Sequence, residues 1–287
     1  MPHGDVGARS GAGVVDGAFL ETLAGIAFAA GSAALDLDAR RARPGKPSVP
    51  NGGVRDAEAR ARAVILDALA EIAPRLHAIA KGEPPESFPA ALGHEYFLVD
   101  PIDSAEEISS VDLPRGEFTI NIALVQDSAP VAGVVFAPGL ERLWAGRTGD
   151  AWSAPANPRI GVGPSRPIRV RAAPEGGVTA LAGAARRSAD VDAFLSAYRV
   201  AEVRAAGSSL RFCLLAEGSA DLFPQLSGSS ACSTAAGDAV LRAAGGRTLT
   251  LDGAPLAYGK RARAGQSDFA NPSFVALGRV ELMPTPD

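Results

Sequence analysis

The chain has 287 residues, 47% hydrophobic and 21% charged, with a formal net charge of −4. That composition belongs to a globular chain long enough for a substantial core, and it excludes the collagenous and strongly disordered classes. The mild acidity, with no run of Lys or Arg, argues against a nucleic-acid duplex as partner. Cys213 and Cys232 are the two cysteines and give no disulfide framework. No unbroken apolar run reaches the roughly 18 residues that span a bilayer, and residues 1–16 lack the apolar centre of a signal peptide. A cytoplasmic protein with no membrane partner is therefore expected.

Residues 1–17, rich in Gly, Ser and charge, read as a disordered tail. Residues 19–37 carry Leu20, Leu23, Ile26, Ala27 and Ala30 at helical spacing. The stretch 42–53 is dense in Pro and Gly and reads as a loop. A second helix is predicted over about 54–72, with Ile65, Leu69 and Ile72 on one face and Pro74 past its end. A further loop, 81–89, leads to Tyr96-Phe97-Leu98-Val99-Asp100-Pro101-Ile102-Asp103. The first residues of that stretch are strand formers, and Pro101, which lacks a backbone donor, is expected to stop the strand. Asp100 and Asp103 are left at its end with the Ile102 carbonyl between them. Two carboxylates and a carbonyl form the oxygen-rich set that a hard cation such as Mg²⁺ prefers, and an acidic solvated turn fits the same four letters equally well.

After a polar excursion over 104–115, strands are predicted at 118–125 and 131–136, with a short pair within 140–152. The Pro- and Gly-rich residues 153–178 lead into a second half. That half begins with a strand near 178–181 and a helix near 191–198. A helix over 208–217 follows, then a last long helix over 233–244, which ends at Gly245-Gly246 where a C-cap belongs. A final strand is predicted at 248–251.

Four more stretches complete the pattern: GEFTINIAL at 116–124, VAGVVFAP at 131–138, GSSLRFCLLAEG at 207–218 and TAAGDAVL at 234–241. In order and spacing these, with the Asp100 stretch, resemble the inositol monophosphatase superfamily over about residues 19–278. The branch they resemble most is the CysQ-type 3'(2'),5'-bisphosphate nucleotidases. The resemblance implies a layered α/β fold, an αβαβα sandwich. Residues 18–155 would form a half with an antiparallel sheet beneath two helices, and 156–287 a half with a smaller mixed sheet. A small phosphorylated or polar ligand would bind in the cleft between them, and a homodimer is common in the superfamily. It also implies Mg²⁺-assisted hydrolysis of a phosphate monoester, with two or three ions on a carboxylate cluster.

By that resemblance Asp100, the Ile102 carbonyl and Asp103 match the central metal ligands. The other ligand-bearing segments depart from the pattern. In Lys46-Pro47-Ser48-Val49-Pro50-Asn51-Gly52-Gly53-Val54-Arg55-Asp56, Ser48 stands where an aspartate is usual and Gly53 where a threonine is. Lys81-Gly82 replaces a Glu-Glu pair, Ser104-Ala105 a Gly-Thr, Phe223-Pro224-Gln225 a Tyr-Pro-Arg, and Cys232-Ser233 a Trp-Asp. The metal set is thus vestigial, and no Mg²⁺ is expected unless spare carboxylates such as Glu83, Glu86, Glu106 or Glu107 supply it.

Lys81 would bring a positive charge to the place of a metal. Opposite charges about 4 Å apart attract by roughly 4 kcal/mol at an effective dielectric of about 20. An ion pair of Lys81 with Asp100 or Asp103 is one expectation, and a solvent-facing lysine the other. Ser208, Ser209 and Arg211 border the substrate's nucleotide or sugar in the family, although Arg211 and Glu217 also read as ordinary helix-surface charges. Cys232, at a helix N-terminus, is either an activated thiol or a core residue. Three functions follow. The first is a catalytically impaired or repurposed protein acting by ligand or partner binding. The second is an active Mg²⁺-dependent bisphosphate nucleotidase or sugar phosphatase. The third is a metal-independent enzyme using Asp100 or Asp103 as general acid or base.

Overall fold

The structure is a computed structural model and describes residues 15–41, 52–84, 92–103, 118–183, 188–259 and 269–283. Most of the N-terminal tail, the loop at 42–51 and the excursion at 104–115 lie outside the described residues. So do Glu86, Glu106 and Glu107 among the candidate carboxylates.

Two helices open the chain, α1 (Gly17–Arg41) and α2 (Gly52–Ile72). Next come β1 (His77–Ala80), β2 (Glu95–Asp103), β3 (Thr119–Gln126), β4 (Ala129–Ala137), β5 (Arg142–Arg147), β6 (Asp150–Asn157), β7 (Gly161–Val162) and β8 (Arg166–Pro167). These form one 8-stranded sheet in the order β1-β2-β3-β4-β5-β6-β7, with β8 also on β6. The sheet is antiparallel except at its first edge, where β1 pairs parallel to β2. Residues 77–80 read as no strand from sequence because that run is short and lacks alternation.

The second half contains β9 (Val178–Ala182), α3 (Ala189–Leu195), β10 (Val200–Ala205), α4 (Ser208–Ala216), β11 (Leu222–Gln225), β12 (Ser229–Ser230), α5 (Ala231–Ala243), β13 (Arg247–Thr250), β14 (Ala270–Asn271) and β15 (Phe274–Leu277). Its mixed five-stranded sheet runs β10-β9-β11-β15-β13, and β12 pairs with β14.

Three apolar clusters separate five layers. One lies between α1, α2 and the outer face of the large sheet, with Leu20, Ile65, Phe97, Val99 and Phe136. A second joins the inner face of that sheet, α4, α5 and the smaller sheet, with Leu98, Phe212, Cys232 and Phe274. The third holds α3 against the far side of the smaller sheet through Phe194 and Leu195. By length and composition Gly17–Leu35 could cross a membrane, although Glu21 interrupts its apolar run. Here the apolar face of α1, with Leu20, Leu23, Ala27 and Ala30, is buried in the outer cluster.

The strand predicted to stop at Pro101 does not stop there: β2 continues to Asp103. Asp100 pairs with Asn121 and Asp103 with Thr119, so three steps on β2 match two on β3. The extra residue is a bulge, one of the few places where a sheet tolerates proline. The bulge has a consequence for side-chain direction. Successive strand residues alternate faces, so Tyr96 and Leu98 in the inner cluster carry Asp100 to the same face. Residues three apart would ordinarily oppose one another. The inserted residue puts Asp103 back on the inner face, while Ile102 packs in the outer cluster.

Candidate binding site between the two sheets

The site is built where the inner face of β2 and β3 meets the N-termini of α4 and α5. On β3 the inner positions are Ala123 and Val125, and by alternation Asn121 and Thr119 continue that row. α5 is N-capped by Ser230, whose hydroxyl accepts from the Cys232 N–H at 3.2 Å. α4 begins after Gly207.

Asp100 and Asp103 are almost fully buried, and each is held by partners within the protein. The Lys81 ammonium lies 3.1 Å from Asp100 Oδ2 and 3.9 Å from Asp103 Oδ1. The Ser233 hydroxyl donates to Asp100 Oδ2 at 2.6 Å. Asp103 Oδ2 accepts from the Ser209 hydroxyl and, at 3.3 Å, from the Ser209 N–H. Behind Ser209 a chain of donors runs back into the sheet: Asn121 Nδ2 donates to Thr119 Oγ1 at 3.0 Å, and Thr119 Oγ1 to Ser209 Oγ at 3.1 Å. Burial, and then the neighbouring Asp100, push Asp103 up to about 6, against the opposing effects of Lys81 and Ser209.

Arg211 supplies a second cation. Its guanidinium sits 4.7 Å from the centre of the Phe223 ring and donates to Gln225 Oε1 at 2.9 Å. Burial lowers it to about 10, and the charge of Asp103 partly offsets that. It is thus a buried cation, where the helical pattern also allowed an exposed one. Glu217 is likewise no free surface charge, since it accepts from Trp144 Nε1 at 3.2 Å and pairs with Arg142 at 2.7 Å.

Cys232 faces β1, its sulfur 3.7 Å from the Ile79 carbonyl. Burial first, and then Asp100, raise its thiol to about 12. A thiolate is the reactive form, so the helix N-terminus does not activate this cysteine. The Ser208 side chain, Lys46 and Ser48 lie outside the described residues. Asp56 is exposed on α2, and Glu83 is turned to Arg62 at 3.7 Å. The site therefore unites Lys81, Asp100, Asp103, Ser209, Arg211 and Ser233. It also contains Thr119 and Asn121, which sequence reasoning missed. Their only signal is two polar residues spaced by two in the apolar run of β3.

A family model described as the inositol monophosphatase family matches residues 20–276. The chain belongs to that family. Inositol monophosphatase family relatives include the 3'(2'),5'-bisphosphate nucleotidase CysQ of Shigella flexneri, 33% identical over 226 residues, 78% of this chain and 85% of that protein. Among solved structures, CysQ from Bacteroides thetaiotaomicron superposes with a TM-score of 0.76 at 23% identity, covering 94% of this chain and 100% of that one. Inositol monophosphatase II of Staphylococcus aureus MSSA476 gives 0.69 at 17% identity, over 91% and 89%. These likenesses establish the layered α/β fold.

The inositol monophosphatase family is normally Mg²⁺-dependent, and the residues present fit that ion poorly. Mg²⁺ demands near-octahedral oxygen ligands at about 2.0–2.1 Å. Here Asp100 Oδ2 already accepts from an ammonium and a hydroxyl. Asp103 Oδ2 is taken by Ser209. Among the described residues no three of His, Cys, Asp and Glu are grouped to hold a metal. A divalent ion would have to displace Lys81 and then tolerate its charge nearby.

Proposed function

We propose that this chain is a catalytically impaired or repurposed member of its family, which binds a small phosphorylated or polar ligand between the two sheets without Mg²⁺, in the cytoplasm. The observation that carries this reading is the Lys81 ammonium, 3.1 Å from Asp100 and 3.9 Å from Asp103. A fixed cation on the two central carboxylates supplies the countercharge that a metal would otherwise bring. It cannot supply a metal's polarised water, so hydrolysis loses its nucleophile while the fold around the cleft persists.

Two other readings have an observation in their favour. The 33% identity to proteins named 3'(2'),5'-bisphosphate nucleotidase favours an active Mg²⁺-dependent hydrolase, with ligands drawn from other segments. An Asp103 held up to about 6 favours a metal-independent enzyme with that carboxyl as general acid or base near neutrality.

One experiment separates the three. The purified protein is titrated calorimetrically with Mg²⁺, then with 3'-phosphoadenosine 5'-phosphate with and without the metal, while released phosphate is assayed. The expected result is no Mg²⁺ binding, nucleotide binding that is the same with and without Mg²⁺, and no phosphate. Mg²⁺-dependent phosphate release establishes the hydrolase and overturns the proposal. Turnover that survives a chelator establishes the third reading.

A further inference from the structure

Lys81 is useful as a fixed cation only if its turn is fixed, and the structure shows how that is done. Lys81 follows β1 directly, and its N–H donates to the Val99 carbonyl of β2 at 2.9 Å. Its own carbonyl accepts from Nη2 of Arg62, a residue on the middle of α2. The same Nη2 donates to Glu58 Oε1 one helical turn earlier, at 3.1 Å, and Nη1 lies 3.7 Å from Glu83 Oε1 on the far side of the turn. Glu83 N–H closes the turn onto the Ala80 carbonyl at 3.3 Å. Gly82 sits between them with φ +83°, and a Cβ there would lie 3.2 Å from Arg62 Nη2. Only glycine takes up that conformation without strain, and a side chain there would crowd the Arg62 guanidinium.

We propose that Arg62 is the positioning residue of this site: it grips the Lys81–Glu83 turn from α2 and so aims the Lys81 ammonium at Asp100 and Asp103. The inference rests on the reading of Lys81 as the built-in countercharge. The guanidinium suits the task because its donors lie in a rigid plane. Nη2 holds the backbone carbonyl and Glu58 together, while Nη1 faces Glu83. The partners of Arg62 are Glu58, the Lys81 carbonyl and Glu83, so it acts on the two aspartates through Lys81. Through it α2, which packs on the outer face of the large sheet, is coupled to a centre on the inner face.

The chain has three lysines, Lys46, Lys81 and Lys260, so amine reactivity can be followed residue by residue. The folded full-length protein is dimethylated reductively for short times at neutral pH, and each lysine is quantified by peptide mass spectrometry. Arg62→Ala, Arg62→Lys and the core variant Ile65→Val are compared with the parent. In the parent, Lys81 reacts more slowly than it does in the urea-unfolded chain. Arg62→Ala raises the Lys81 rate alone, several-fold, because the amine is no longer held against its two carboxylates. Arg62→Lys restores part of the protection. Ile65→Val, which loosens α2 packing without touching the turn, leaves the Lys81 rate unchanged. A protected Lys81 whose rate ignores Arg62→Ala, or responds equally to Ile65→Val, overturns the positioning role alone. A parent Lys81 as reactive as in the urea-unfolded chain overturns the paired-lysine reading as well.

Discussion

Lys81→Met is expected to destabilise the protein by about 2–3 kcal/mol at pH 8, and by clearly less at pH 5. Removing one partner of a fully buried ion pair costs about 3–5 kcal/mol, because the remaining charge is left without compensation. The Lys81 side chain is 34% exposed while those of Asp100 and Asp103 are buried, so solvent screening reduces the figure. The pH dependence follows from Asp103. Its folded-state value is raised from 3.8 to about 6, chiefly by burial. A raised acid binds its proton more tightly in the folded state. Its stabilising contribution is therefore complete below about 3.8 and is lost as pH rises through about 6. Lys81 opposes that rise, so in its absence the loss extends to higher pH. At pH 5 Asp103 carries its proton in either protein and the difference shrinks. Urea unfolding of both proteins at the two pH values measures this. A cost that is the same at pH 5 and pH 8 contradicts the pairing of Lys81 with Asp103.

Gly133→Val is expected to cost about 3 kcal/mol, at the upper end of what overpacking usually does. Gly133 on β4 and Gly146 on β5 are cross-strand partners, and together they make a smooth floor beneath α5. A Cβ at Gly133 would stand 2.5 Å from the Ala236 carbonyl oxygen and 2.7 Å from Ala239 Cβ, and one at Gly146 2.7 Å from Val240 Cα. The obstacles are backbone and short side chains, so no rotamer change relieves them. The helix itself must lift, and with it Ser233, whose hydroxyl holds Asp100. The midpoint of urea unfolding should fall with the slope unchanged. An unchanged midpoint would mean that α5 is not seated on the sheet through this glycine pair.

The parts of the site visible in the sequence are those encoded locally. Asp100 and Asp103 stand in one short stretch, and Ser209 and Ser233 lie at predicted helix starts. The strand forecast failed at Pro101 because a bulge depends on the partner strand, and a single strand does not show its ladder. The same limit hid β1, a short parallel edge defined by its register with β2. Thr119 and Asn121 border the two carboxylates only because the bulge sets Asp103 opposite Thr119. Arg62 carries no local signal at all: nineteen positions separate it from the carbonyl it holds. Cys232 was legible as a helix-start cysteine, but not in its direction. Packing of α5 against the sheet turns it to Ile79 and buries it.

The proposed function puts a lysine where the family normally uses a divalent ion. Its most direct test is the thermal unfolding midpoint of the parent and of Lys81→Glu, with and without about 10 mM MgCl₂ at matched ionic strength, a concentration that adds about 1.4 kcal/mol for a site of about 1 mM affinity. The parent midpoint should not move. That of Lys81→Glu should start lower, with an added carboxylate beside two buried ones, and rise with Mg²⁺. A parent midpoint that rises with Mg²⁺ would show that the site takes the ion despite Lys81 and would overturn the proposed function.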